Sequence, residues 1–286
     1  MPEGPEVEIV RIGLKDVIGQ KVIKVKISDN KKYSEQQKQL NLLKSSEIEK
    51  IDRKGKFLLW FFNKRGVTYA ALNHLGMTGV WHLYTNHIWN SFASPFEHFK
   101  HYKLYFQLSN GDHLLFSDVR TFGQFKIHDP KLILELKSIS TLGPDILDLP
   151  FKTELFIKRI RGKHNNRTVE IGKALLNPAI VAGCGNIYKS EALFVAKINP
   201  FNPVNKISDK KLQKLGVALS RVGQLALKNK GTTLRDYSHV DGYPGLMQNE
   251  LKIYGRKEES CSSCKSIIKA NKQGDRTTYW CSNCQK

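Results

Sequence analysis

Pro2, Glu3 and Glu6 of the opening segment MPEGPEVE bring a latent nucleophile and two carboxylates together. A small residue at position 2 permits removal of the initiator methionine, which would leave Pro2 as a terminal secondary amine. Such an amine titrates near about 8, against about 10.4 for lysine, so much of it is neutral and nucleophilic at neutral pH. It can attack a sugar C1′ and form a Schiff base. Glu3 or Glu6, if buried, can donate or shuttle the accompanying proton. The same residues also suit an ordinary helix start, with Pro and acidic side chains in the first turn.

Four of the five cysteines lie in the last 26 residues: Cys261, Cys264, Cys281 and Cys284, spaced C-x2-C-x16-C-x2-C. Two such knuckles present four thiolates to one tetrahedral Zn2+, and four protein ligands close the site to water and substrate. The expected role is structural, with one zinc and no catalytic metal or organic cofactor. Between the knuckles, IIKANKQGDRTTYW reads as two short strands around Gly274. Arg276 would then stand near the tip, where it could reach a phosphate or remain a solvated surface residue. In VAGCGNIYKSEALF, Gly183-Cys184-Gly185 allows close backbone approach, and Asn186 opens a helix whose free N–H groups suit phosphate. An ordinary N-cap Asn at a helix-turn-helix corner fits the same residues. Lys54 and Lys56 flank Gly55 before an apolar strand, so a hairpin tip would carry an ammonium group. Cys184 reads as a small buried apolar residue, and the nine histidines lack metal-ligand spacing.

The elements that must hold these residues follow from periodicity. Val7, Val10, Leu14, Val17 and Ile18 repeat at helical spacing up to Gly19. From Val22 to Gln124 the pattern is β: KVIKVKIS, Phe57 to Phe62, VTYAALNHLGMTGVW, and a hairpin KLYFQLSNGDHLLFSD turning at Asn110-Gly111. Pro130, Gly143-Pro144 and Pro150 interrupt regular structure. Helical spacing resumes in TVEIGKALLNPAIV, NIYKSEALFVAKI and SDKKLQKLGVALSRVGQLALKNK. Forty-six Lys and Arg against 26 Asp and Glu give a net charge of +20, which draws polyanions through counterion release and makes nucleic acid the first partner to test. No apolar run approaches the roughly 20 residues of a membrane span, and no secretory signal opens the chain, so an intracellular protein without a membrane partner is expected.

These motifs, in order, resemble those of the formamidopyrimidine-DNA glycosylase and endonuclease VIII family: PEGPEVE, KGKFLL, HLGMTG, DVRTFG, VAGCGNIYKSEALF, YGRKEE and the terminal YWCSNCQ. The resemblance runs from Pro2 to Gln285. It implies a two-domain α+β fold, with an N-terminal helix on a β-sandwich, then a helical domain with a helix-two-turn-helix and a C-terminal zinc-finger hairpin. The implied divisions are a catalytic domain over 1–130, a connection over 131–150, a helical domain with a lesion-covering loop over 151–249, and the zinc finger over 250–286. It implies a bifunctional DNA glycosylase and abasic-site lyase of base excision repair, acting as a monomer on damaged DNA held between its halves.

On the same resemblance Pro2 is the Schiff-base nucleophile and Glu3 the acid that assists ring opening and base loss. Lys56 serves the first elimination and Arg276 the second, while Asn186 and Arg276 grip phosphate. Met77, Arg120 and Phe122 enter the duplex and fill the gap left by an extruded nucleotide. Glu6 lines the lesion pocket, and His101 and Lys257 join the DNA contacts. Thr121 stands where many relatives carry a second basic residue. PEGPE and YWCSNCQ look like the branch that takes oxidised pyrimidines; HLGMTG, Arg120 with Phe122 and the stretch GTTLRDYSHVDGYPGLMQNELKIYGRK look like the branch that takes oxidised purines. A non-catalytic zinc-ribbon nucleic-acid binder is the competing reading, and it gives no reason for Pro2, Glu3 and Lys56 to occur together.

Overall fold

The computed structural model describes residues 2–29, 37–162, 167–232 and 244–286. Two compact units divide the chain. The first takes Met1–Pro2, Glu6–Ile139 and Thr232–Gly245, the second Glu3–Pro5, Ser140–Gly231 and Leu246–Lys286.

The first unit is a β-sandwich. One sheet orders β1 (Val22–Ile27), β6 (Tyr102–Leu108), β7 (His113–Asp118) and β5 (Gly79–Tyr84) side by side. The other orders β2 (Glu47–Lys54), β3 (Phe57–Lys64), β4 (Val67–His74) and β8 (Gln124–His128). All neighbours run antiparallel. Inward-facing positions of both sheets interdigitate, with Trp60 and Trp81 ring centroids 4.9 Å apart among Phe62, Phe106, Phe116 and Phe125. Trp81 Nε1 donates to Asn73 Oδ1 at 2.9 Å, and Asn73 Nδ2 donates to the Gln124 carbonyl at 2.7 Å, so the two buried polar groups satisfy each other. Helix α1 (Gly4–Gly13) presents Val7 and Val10 to this core. The apolar run continues through Leu14 and Val17, but in a 3-10 turn over Lys15–Val17, and ends at Gly19 with φ +84°.

The outer face of the β1–β6–β7–β5 sheet is covered too. The segment between β5 and β6 folds Trp89, Phe96 and Phe99 over Tyr84, Tyr102 and Tyr105 as a second aromatic core. His82 stacks on Tyr84 and Phe99 and brings Nε2 to 2.9 Å from Ser117 Oγ. Burial pushes its pKa down to about 4. Between that value and the unfolded value of about 6.5, the unfolded chain binds the extra proton. Stability is therefore complete above about 6.5 and is lost as pH falls toward 4, by at most about 3 kcal/mol. His82→Phe is expected to flatten the fall in Tm across that window; an unchanged acid slope in thermal melts would contradict this.

The second unit contains three helices of nine residues or more among the described residues: α2 (Thr153–Arg161), α3 (Asn186–Val195) and α4 (Asp209–Lys228). Ser208 caps α4, its side chain accepting from the Lys211 N–H, and Leu212, Leu215, Leu219 and Val222 face the core with Tyr188 and Leu193 of α3. Arg161 ties α2 down, donating to the carbonyls of Val204 and Ile207 and pairing with Asp209. TVEIGKALLNPAIV forms one helical turn, Ile171–Ala174, where a longer helix was expected. Glu170 enters it from a β-bridge to Pro203, and Asn177-Pro178 blocks its continuation. A hairpin of β9 (Lys269–Gln273) and β10 (Arg276–Trp280) turns at Gly274, φ +60°. Residues 233–243, part of the stretch expected to cover the lesion, lie outside the described residues.

Candidate active site and nucleic-acid contacts

In the first unit Pro2 is buried, and the Lys54↔Phe57 pair closes a two-residue turn of Gly55 and Lys56, with Gly55 at φ +60°. Arg53 holds this tip. Its guanidinium donates to the Gly55 carbonyl at 2.7 Å and to Glu8 of α1 at 3.0 Å, so half-buried Lys56 stands on a braced turn. Glu6 is buried, and its Oε1 accepts the Thr232 N–H at 2.8 Å at the start of the loop.

Met77 and the Arg120–Phe122 segment come from two loops that are sewn together. A Cβ on Gly76, at φ +68°, would meet the Phe122 carbonyl carbon at 2.7 Å, so only glycine permits the approach. Thr78 Oγ1 bonds Asp118 and accepts the Arg120 N–H at 3.0 Å, while Asp118 Oδ2 accepts the Gly123 N–H at 2.6 Å. Fully buried Asp118 thus organises both loops, and Lys103, whose pKa burial lowers, supplies the nearby positive charge. On this base Phe122 is half-exposed, with the Arg120 guanidinium 4.9 Å from its ring centroid; Met77 is half-buried. Thr121 adopts φ +57°, and His101 is exposed, its carbonyl accepting the Asp118 N–H.

In the second unit the Gly183-Cys184-Gly185 turn meets the chain's own N-terminal segment. The Gly4 N–H donates to the Gly183 carbonyl at 2.8 Å, and a Cβ on Gly185 would collide with the Glu3 carboxyl group. Glu3 Oε1 accepts from the Ile187 N–H at 2.9 Å and Oε2 from the Tyr188 N–H at 3.4 Å. Two N–H groups of the α3 N-terminus that spacing had offered to phosphate therefore hold Glu3 instead, because an internal carboxylate meets the same need as an external anion. Asn186 Nδ2 donates to the Thr277 carbonyl at 2.8 Å, which brings it beside exposed Arg276 on β10. Cys184 is buried.

Periodicity alone did not single out two buried charges on α3. Lys189 is fully buried, and burial lowers its pKa to about 8. Glu191 accepts the N–H groups of Lys252, Ile253 and Tyr254 at 2.8 to 3.0 Å, and burial raises its pKa against them. The usable signal for both was charge inside the apolar helix pattern of NIYKSEALF. Lys257 is exposed and pairs with Glu258 at 2.9 Å.

Cys261, Cys264, Cys281 and Cys284 place their sulfurs within 4.8 Å of one another, with Cys261–Cys284 at 3.9 Å and Cys264–Cys281 at 3.5 Å. Those separations exceed a disulfide bond of about 2.05 Å. They match the ~3.8 Å edge of a tetrahedron with metal–sulfur bonds of ~2.3 Å, so the four can hold a metal ion.

A sandwich that braces a lysine tip and two loops tied to each other, followed by a helical unit with a four-cysteine hairpin, has the make-up of a nucleic-acid enzyme. Residues 1–125 match the formamidopyrimidine-DNA glycosylase N-terminal domain, and residues 142–238 match the H2TH domain of the same enzymes. The chain is 35% identical over 288 residues to the formamidopyrimidine-DNA glycosylase of Stutzerimonas stutzeri and 33% identical over 290 residues to that of Bdellovibrio bacteriovorus, covering 100% of both chains in each case. Among solved structures, Lactococcus lactis Fpg in complex with DNA containing an abasic site superposes with a TM-score of 0.87 at 31% identity, covering 99% of each chain. The same protein with N7-benzyl-Fapy-dG DNA gives 0.86 at 31% identity, covering 100% of each. The chain belongs to the formamidopyrimidine-DNA glycosylase family. Its activity is that of a DNA glycosylase in base excision repair, and the reading as a non-catalytic zinc-ribbon binder is set aside.

Proposed function

We propose that the protein removes oxidised bases from damaged DNA and then cuts the strand, with Pro2 as nucleophile. The observation that carries this is the burial of Glu3 next to Pro2, its carboxylate anchored on two backbone N–H groups. The Pro2 nitrogen attacks C1′, and the bond from C1′ to the base breaks, the base leaving with the electron pair and taking a proton from solvent. Glu3 takes the proton shed by the amine and returns it to O4′ as the C1′–O4′ bond opens and C1′=N forms. Loss of a C2′ proton then expels the 3′ phosphate; Lys56 serves this step, and Arg276 a second elimination at the 5′ phosphate. Water releases the sugar fragment from the imine and restores Pro2.

Reaching C1′ requires an extruded nucleotide, which costs a few kcal/mol; Met77 and Phe122 fill the gap and Arg120 meets the orphaned base, which offsets part of that cost. Asn186 and Arg276 grip phosphate, Glu6 lines the pocket, and His101 and Lys257 add contacts to the strand. The substrate places the enzyme inside the cell, wherever DNA is, and a monomer suffices for the reaction. Among the described residues no helix is long and apolar enough to cross a membrane.

The cysteine cluster holds Zn2+, which staples the hairpin bearing Arg276 and takes no part in bond breaking. A two-stranded hairpin is marginal alone. Chelation is therefore expected to weaken abasic-site binding by about tenfold or more while the helical signal of the second unit persists; binding unaffected by complete metal removal would contradict the role. Arg276→Ala is expected to lower the slope of log K against log salt by about 0.9, one phosphate contact. An unaltered slope removes Arg276 from the grip. The reading as a whole is tested by incubating the purified protein with duplexes carrying single oxidised bases: base release followed by strand scission supports it, and an intact strand after base release contradicts the lyase half.

A further inference from the structure

Lys189 heads a buried chain of hydrogen bonds that the reaction as described does not use. Its Nζ donates to Thr278 Oγ1 at 2.7 Å, and the Thr278 hydroxyl donates to Gln273 Oε1 at 2.9 Å. Gln273 Nε2 in turn donates to Glu170 Oε2 at 3.0 Å and to the Pro200 carbonyl at 2.9 Å. Lys189, Thr278 and Gln273 are all buried, and a Cβ on Gly172 would collide with the Gln273 carboxamide.

The direction of this chain is set at its lysine end. An ammonium group has no acceptor, so Thr278 must accept from it, which leaves the hydroxyl proton for Gln273 and turns the amide NH2 toward Glu170. Asn186 and Lys189 are three residues apart on α3 and share a face. Both fasten β10, Asn186 at the Thr277 carbonyl and Lys189 at the Thr278 side chain. Arg276 and Thr278 are two residues apart on that strand, so their side chains leave the same face. The side chain anchored by Lys189 is thus the in-strand neighbour of the one offered to phosphate. An apolar residue at 189 would fill the space and remove one of the two bonds that hold the Thr278 side chain.

We propose that Lys189 is a positioning residue for the phosphate grip, holding Arg276 at the Asn186 end of α3 through Thr278. This rests on the reading of Arg276 as a phosphate ligand. The test measures binding to a duplex with a tetrahydrofuran abasic analogue, across salt, for Lys189→Met, Thr278→Val, Thr278→Ser, Arg276→Ala and the Lys189→Met/Arg276→Ala double variant.

Lys189→Met and Thr278→Val are expected to bind about tenfold more weakly with a slope reduced by about one contact. Thr278→Ser, which keeps the hydroxyl, is expected to stay within about twofold. The double variant is expected to bind no more weakly than Arg276→Ala alone, because Lys189 acts through that residue. Losses that multiply in the double variant, or wild-type binding by both Lys189→Met and Thr278→Val, overturn the proposal. If Lys189→Met does not fold, the Thr278→Val and Thr278→Ser pair decides it, since equal binding by the two also overturns it. A wild-type slope for Arg276→Ala sinks the underlying reading as well, whereas a weakened Arg276→Ala beside an unaffected Lys189→Met sinks only the role of Lys189.

Discussion

A form of the enzyme with a peptide extension ahead of Pro2 is expected to bind abasic-site DNA almost normally and to lose strand cleavage by roughly 10³-fold or more. The extension turns the secondary amine into an amide, whose nitrogen lone pair is delocalised and cannot add to C1′. Lys56 stands on its own braced turn, where Arg53 spans Gly55 and Glu8. The measurement is single-turnover cleavage of an abasic duplex, read beside its Kd. Cleavage that survives the extension within about tenfold would remove Pro2 from the chemistry.

Glu3→Gln should separate the two halves of the reaction. Its carboxylate bonds two backbone N–H groups at once, through Oε1 and Oε2. A carboxamide keeps one acceptor and turns an NH2 toward the other N–H, so it loses both the proton carrier and half of its anchorage. Base excision, which needs a proton moved as the ring opens, is expected to fall by roughly 10²- to 10⁴-fold. Cleavage at a preformed abasic site is expected to fall far less, because the base has already left and the sugar opens to an aldehyde without help. Equal losses on both substrates would mean that Glu3 serves the amine and not the departing base.

The β half was legible because strand alternation and apolar runs survive in a sandwich whose inner face is continuous. Phe57 to Phe62 and the Asn110-Gly111 hairpin fall where period and turn chemistry put them. Helix α2 leaves little mark in the sequence pattern because TELFIKRIR buries little beyond Phe156 and Ile160 and is anchored by Arg161, a partnership no local pattern displays. The aromatic segment between β5 and β6 shows as composition alone, since its rings pack on the outer face of a sheet formed by distant strands.

Among the site residues, the cysteine quartet and the Gly55 and Gly274 turns were readable from spacing. The positioning residues were not. Asp118 and Arg53 act on side chains remote in sequence and in a linear reading resemble surface charges, whereas Lys189 and Glu191 show only as charges inside an apolar helix pattern. The glycines of GCGN leave room for a close approach, and the group they admit is the chain's own Glu3.

The most direct test of the account is to reduce a reaction on abasic-site DNA with borohydride, digest the trapped complex and locate the sugar remnant by mass spectrometry. The account predicts the remnant on the nitrogen of Pro2, in a chain that has lost Met1. A remnant on any lysine, or full activity in protein that still carries Met1, would contradict it.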